Sequence, residues 1–275
     1  MERLIAEAAG LPLKSRVRLL DALKTGAVLR HDDGVSFAVE SLAEFKRARK
    51  RSDANRDVES WVASFHDGDV LYDVGANTGA LALRTAAVHA GRVPVYALEP
   101  ASDTYAALVR NVELNGAGAV VTPLHVALLD VTGLQLLHRA SAGAGSALHA
   151  VGEALDYRRQ PFTPVATEPV LTFRLDDLVR LLGLPRPTHI KVDVDGFEHK
   201  VLEGAAGVLA ETRCDVYIEL VETVDGDPHV PAVVASLHEL GYELARRIEH
   251  RPSGTFPRVL DALFVHRERV ARGPR

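Results

Sequence analysis

The stretch Thr188-His189-Ile190-Lys191-Val192-Asp193-Val194-Asp195-Gly196-Phe197-Glu198 is where residue types and spacing come closest to chemistry. Period-two alternation puts Ile190, Val192 and Val194 on one face of a strand and His189, Lys191 and Asp193 on the other. A central parallel strand is ordinarily apolar on both faces. Charged groups facing a covered layer are costly unless they are paired or turned toward a cleft. Lys191 and Asp193, at i and i+2, can pair. At the C-terminal end of a strand they suit an acceptor that must be oriented and lose a proton. Asp193 is the candidate base or orienting carboxylate. Lys191 is its partner or, were burial to depress its pKa, the base itself. Glu198 opens the next helix, where a carboxylate suits the dipole, and is the third catalytic candidate. His189, at the entry end of the strand, reads as structural.

A second cluster is Asp73-Val74-Gly75-Ala76-Asn77-Thr78-Gly79, of the form D-x-G-x-x-x-G. Its glycines let the backbone turn tightly after a strand and approach a ligand, and the helix behind it offers free N–H groups. The spacing is not the G-x-G-x-x-G of dinucleotide sites. The Asp73 carboxylate would oppose a phosphate but suits an ammonium. Glu99 ends the next strand, where an acid accepts from two ribose hydroxyls. Asp130, past the third strand, could accept from an adenine amino group. Asp73, Gly75, Asn77, Thr78, Gly79, Glu99 and Asp130 together describe a site for a nucleoside carrying an amino acid, S-adenosylmethionine.

These residues need a scaffold, and the pattern around them supplies one. From residue 67 strands and helices alternate: strands at 70–74, 93–98, 120–129, 189–194 and 216–221, helices at 79–90, 102–115, 176–182, 197–209 and 230–240. Two last strands, 242–248 and 259–266, could pair antiparallel. Such alternation implies an α/β, doubly wound, mostly parallel sheet, with ligands at the C-terminal ends of its strands. Residues 130–175 break the rhythm, apart from an additional strand at 134–137, and read as a candidate lid. Residues 1–60 read as an N-terminal extension of helix and hairpin, with a turn at Asp32-Asp33-Gly34, and 61–275 as the cofactor-binding domain. The basic run Lys46-Arg47-Ala48-Arg49-Lys50-Arg51 reads as a solvated helix face. The extension could serve a homodimer interface or cover the acceptor site.

The glycine loop, Glu99-Pro100, Leu175-Asp176-Asp177-Leu178, the stretch from Ile190 to Glu198, Val201-Leu202-Glu203-Gly204-Ala205 and Tyr217-Ile218-Glu219 resemble the FkbM family of S-adenosylmethionine-dependent methyltransferases over roughly residues 67–265. The resemblance implies a class I methyltransferase fold, Rossmann-like, with a seven-stranded sheet whose last strand is antiparallel. It also implies O-methylation of a hydroxyl on a natural product, as in secondary metabolite biosynthesis, or on a sugar. Asp195 stands where the family often has Glu, which keeps the charge.

Composition narrows the alternatives. The 275 residues carry a net charge of −5, with no global basic footprint, so nucleic acid is not an expected partner. The lone Cys214 excludes an internal disulfide framework, and its place at a strand entry argues against the thiol route of cytosine methylation. No apolar run reaches the roughly 20 residues of a membrane span, and no signal-like start is present; the expectation is a cytoplasmic protein. An amino-methylating enzyme would often show Asn/Asp-Pro-Pro-Tyr after the fourth strand, where Asp193-Val194-Asp195-Gly196 stands. Asp193, Glu219 and Glu222 could converge on Mg²⁺, a version not favoured over a metal-free site. Two rivals differ in kind. An NAD(P)-dependent oxidoreductase is disfavoured by Asp73 and the glycine spacing. A catalytically silent cofactor-binding protein would lack Lys191 and Asp193.

Overall fold

The computed structural model describes residues 9–49, 53–156, 160–222, 229–250 and 258–270. Helix α1 (Leu13–Gly26) precedes a hairpin of β1 (Val28–Arg30) and β2 (Ser36–Ala38), then α2 (Leu42–Arg49) and α3 (Asp53–Ala63). Two βα steps and a third strand follow: β3 (Leu71–Val74), α4 (Ala80–Val88), β4 (Val95–Leu98), α5 (Ser102–Leu114) and β5 (Val121–Leu124). Next come β6 (Ala127–Leu128), β7 (Gly133–Arg139), β8 (Ala150–Val151), β9 (Ala166–Phe173) and α6 (Leu175–Leu182). The second half adds β10 (His189–Val192), α7 (Glu198–Gly204), α8 (Ala206–Thr212), β11 (Asp215–Glu222) and α9 (His229–Glu239). It ends with β12 (Tyr242–His250), β13 (Arg258–His266) and α10 (Arg267–Val270).

The large sheet runs β12-β13-β11-β10-β3-β4-β5. The pairs from β11 through β5 are parallel, and β13 is antiparallel to both of its neighbours. One face packs Tyr72, Ile190, Val192 and Ile218 under α6 to α9, through Leu178, Val201, Leu209 and Leu237. The other packs Leu71, Val95 and Ala97 under α4 and α5, and here the N-terminal segment joins the same core through Phe37, Trp61 and Phe65. Trp61 stacks on Tyr217 of β11 with ring centroids 5.0 Å apart. His189 is structural, as expected: it lies 3.8 Å from the Phe65 ring and is bonded to Asp69 at 3.0 Å.

Two smaller sheets join the expected one, the first as expected and the second not. The hairpin is the first. The other, in the order β6-β9-β7-β8, occupies residues 127–173, the stretch read as irregular. The single strand expected at 120–129 divides after Leu124, and β6 pairs with β9 rather than with the large sheet. Its neighbour β7 exposes Leu134, Leu136 and Leu171 of β9 on one side and buries Leu137 and Val170 on the other, a period-two pattern obscured by apolar residues on both faces.

The hairpin is fixed to α5 by two asparagines. Asn111 is 1% exposed; its Oδ1 accepts from Ala38 N at 2.9 Å and its Nδ2 donates to Thr78 O at 2.9 Å. Asn115 accepts from Ser36 N at 2.9 Å and donates to Ser36 O at 2.7 Å. Asn111→Ala leaves a buried N–H and a buried carbonyl unpaired. It is expected to cost about 2–4 kcal/mol in urea unfolding, and a loss below about 0.5 kcal/mol would show that the hairpin is not held this way.

Candidate active site

On the face that packs against the N-terminal segment, the C-terminal ends of the central strands carry polar side chains where apolar ones would be expected. Asp73 of β3 registers against Lys191 of β10, and Lys191 against Tyr217 of β11; further along, Glu219 registers against Asp261 of β13. Lys191 Nζ donates to Asp193 Oδ2 at 2.9 Å and lies 3.9 Å from Asp73 Oδ1. Burial alone would lower the lysine's pKa, but the charges of Asp193, Asp73 and Glu219 outweigh it and the net direction is upward. The depressed pKa that would make Lys191 a base is therefore not what this setting produces; Lys191 keeps its proton. Asp193 repulsion and burial, with Asp261 behind them, push Glu219 well above the usual carboxylate range.

Asp73 is 1% exposed, and neither of its carboxylate oxygens has a hydrogen-bond partner among the described residues. Burial raises its pKa against the pull of Lys191. A buried acceptor of this kind calls for a donor, and the ammonium of an amino acid would supply one. The glycine loop packs tightly beside it. Gly75 has φ +79°, and a Cβ there would lie 1.9 Å from Asp193 O, so no other residue fits. Asn77 takes the left-handed conformation with φ 51°. Thr78 is buried, its N–H donating to Asn77 Oδ1 at 3.0 Å, and Gly79 opens α4.

Glu99 is 5% exposed and accepts from Asn77 N at 3.0 Å and Ala101 N at 2.9 Å. Burial raises its pKa to about 7 despite these two bonds. Each carboxylate oxygen keeps a second lone pair for a ribose hydroxyl. Glu99 borders a cavity of about 710 Å³ that runs from Pro100 and Leu128 to Asp193 and Glu219. A second cavity of about 420 Å³ reaches Asp73, Thr78 and Lys191. The two share Gly75, Asn77, Asp193, Glu219 and Arg47. These residues could hold S-adenosylmethionine: Glu99 has lone pairs to accept from a ribose, and Asp73 could accept from an ammonium.

Two predicted site residues are not brought here. Glu198 is 1% exposed and is engaged elsewhere: Oε1 accepts from Gly196 N at 2.9 Å and Oε2 pairs with His229 Nε2 at 2.7 Å. Its helix turns it under α9 rather than into the cleft. Asp130 does not border the cavity; its main-chain oxygen accepts from Arg174, and Val126 to Leu129 form the wall. The chain turns away after Leu129 to enter β7, carrying the Asp130 side chain with it. Among the described residues no group of three or more His, Cys, Asp or Glu is arranged to hold a metal ion.

The candidate lid is a folded wall over its described residues. Asn77 Nδ2 donates to Ser146 O at 2.9 Å, and Leu148 N to Asp195 Oδ2 at 2.7 Å. Asp195, with φ 54°, is thereby a cavity residue; burial and then Asp193 raise its pKa to about 6. Sequence reasoning also passed over Arg47, which borders both cavities although it was read as part of a solvated face. The Ser41-x-x-Glu44 spacing ending three residues before it is a local signal for a capped, fixed helix, but nothing local shows what that helix faces.

Residues 73–244 match the family model described as the methyltransferase FkbM domain. Over 224 residues the chain is 30% identical to the hexuronic acid methyltransferase AglP of Haloferax volcanii, covering 78% of this chain and 84% of that one. Among solved structures it is similar to methyltransferase FkbM from Methylobacillus flagellatus KT, at 16% identity and TM-score 0.47 over 72% of this chain and 44% of that one. It is also similar to precorrin-6y C5,15-methyltransferase from Geobacter metallireducens GS-15, at 14% identity and TM-score 0.46 over 83% of this chain and 92% of that one.

If ionised Glu99 holds the ribose, nucleoside binding is complete above pH 7 and weakens as Glu99 gains its proton. Calorimetry with S-adenosylhomocysteine should show affinity falling about tenfold per unit below about pH 7. Glu99→Gln should remove the part of that dependence centred near pH 7. A pH-independent affinity in the unsubstituted protein would take Glu99 out of the ribose site.

Proposed function

Because the chain belongs to the FkbM family of methyltransferases, we propose that it methylates a hydroxyl of a small molecule using S-adenosylmethionine, the acceptor being an acidic sugar. The observation that carries this reading is the Lys191–Asp193 pair, held at 2.9 Å where the two cavities meet. Its position beside Gly75 suits an acceptor brought to the cofactor's sulfonium. The acidic sugar follows from the relative that methylates a hexuronic acid.

The bound cofactor supplies an electrophilic methyl group on a sulfonium. Glu99 holds the ribose and Asp73 the ammonium, which fixes the nucleoside across the glycine loop. Asp193 accepts the acceptor hydroxyl's proton as the oxygen attacks in line. Lys191, kept charged by its carboxylate neighbours, orients Asp193 through their 2.9 Å bond. The wall from Ser146 to Leu148 and the roof of α3 limit water at the reacting centre. A protonated Glu219 would spare the cleft one negative charge and could donate to a sugar oxygen.

Asp193→Ala is expected to lower kcat by about 10²–10⁴-fold while S-adenosylhomocysteine affinity stays within a few-fold. The assay is transfer of labelled methyl to a hexuronic acid. The product should be an ether that survives mild alkali; an alkali-labile ester would place the methyl on the carboxylate instead. Full activity in the variant would refute the role of Asp193.

A further inference from the structure

Five carboxylates border the larger cavity: Glu99, Asp193, Asp195, Glu219 and Glu249. Among its described lining residues one arginine and no lysine stands against them, Arg47. Arg47 lies before the matched domain, on α2, and the structure takes trouble to hold it. Glu44, 2% exposed, pairs with Arg110 of α5 at 2.8 Å and accepts from Glu40 N at 2.8 Å. Ser41 Oγ accepts from Glu44 N at 3.0 Å, capping the helix, and donates to Ala144 O at 3.1 Å. His31 Nε2 donates to Ala48 O at 2.8 Å. Gly145, with φ +81°, lets the wall approach so closely that a Cβ would lie 2.9 Å from Glu44 N.

Arg47 itself is half-buried and Nε donates to Gly145 O at 3.3 Å, its one hydrogen bond to the described residues. The rest of a guanidinium's five donors are then available to a ligand. Burial dominates the titration of Glu99, Asp195 and His149, and Arg47 is near enough to act on each of them. With five carboxylates and one guanidinium in its described lining, the cavity offers a ligand anion a single cation, Arg47. A planar, permanently charged guanidinium matches a carboxylate in particular.

We infer that Arg47, supplied by the N-terminal extension, binds a ligand carboxylate where the two cavities meet, so that the extension is part of the active site. The inference rests on the methyltransferase reading above. Both ligands of that reading carry such a group: the amino-acid tail of the cofactor and the uronate of the acceptor. Arg47 serves one of them, and the test separates the two.

Arg47→Ala and Arg47→Lys are compared with Arg49→Ala, an exposed change on the same helix. Calorimetry compares S-adenosylhomocysteine with 5′-methylthioadenosine, which lacks the carboxylate. Steady-state kinetics compare glucuronic acid with glucose. If the cofactor's carboxylate is bound, Arg47→Ala weakens S-adenosylhomocysteine roughly ten- to hundredfold and leaves 5′-methylthioadenosine within twofold. If the acceptor's is bound, both nucleosides are unchanged and KM for glucuronic acid rises by a similar factor while glucose is unaffected. Arg47→Lys restores part of either loss, and Arg49→Ala behaves as the unsubstituted protein. Equal losses for ligands with and without a carboxylate, or no loss in any ligand, would overturn the inference and leave Arg47 as a brace for Gly145. Failure of the unsubstituted protein to bind either nucleoside would instead overturn the methyltransferase reading on which the inference stands.

Discussion

The site depends on one lysine kept charged between carboxylates on a sheet face that is otherwise packed with apolar side chains. Asp73 and Asp193 flank Lys191 directly, and Glu219 adds its field from the neighbouring strand. Without the ammonium these acids would be buried like charges, a costly arrangement. With it, Asp73 and Asp193 share one buried cation. The parallel register makes this possible, since it sets Asp73 and Lys191 side by side on adjacent strands. Gly75 then brings the loop against Asp193 O with no room for a side chain, which ties the glycine loop to the Lys191–Asp193 pair.

Around this centre the chain builds walls from segments far apart in sequence. The hairpin and α3 cover the polar face and share its core through Phe37, Trp61 and Phe65. The small sheet and the loop between β7 and β8 close another side of the cavity through Asn77 and Asp195. Ser41 and Arg47 of the N-terminal segment donate to Ala144 O and Gly145 O of the wall, which joins the two coverings. The N-terminal segment therefore acts as a structural part of the cleft rather than an appended module, with Arg47 at the point where both coverings meet the cavities.

Local pattern made much of this legible. The alternation in β10 separated Lys191 and Asp193 from Ile190 and Val192 because a strand's side-chain period is two. The glycine loop and Glu99 were visible because strand, turn and strand end lie at fixed distances in a βα unit. What was hidden depends on contacts that no local spacing encodes. Glu198 looks like a site residue until His229, 31 residues on, claims its oxygen. Asp130 follows a strand as a ligand residue should, but the chain leaves the large sheet before reaching it. Arg47 sits in a basic run whose composition suggests solvent, and only the approach of Gly145, 98 residues away, turns it inward. Of the sheet at 127–173, β7 was expected in part as a strand at 134–137, but β8 and β9 were not; apolar residues on both faces blur the alternation.

The central claim is that Asp193, oriented by Lys191, receives the proton of an acceptor hydroxyl beside a nucleoside held by Glu99. A crystal structure with S-adenosylhomocysteine and a hexuronic acid tests it most directly. The account predicts a sugar hydroxyl oxygen within about 2.6–3.2 Å of an Asp193 carboxylate oxygen, Lys191 still paired with Asp193, and the ribose hydroxyls on Glu99. A sugar hydroxyl seated away from Asp193, or a ribose with no contact to Glu99, would contradict it.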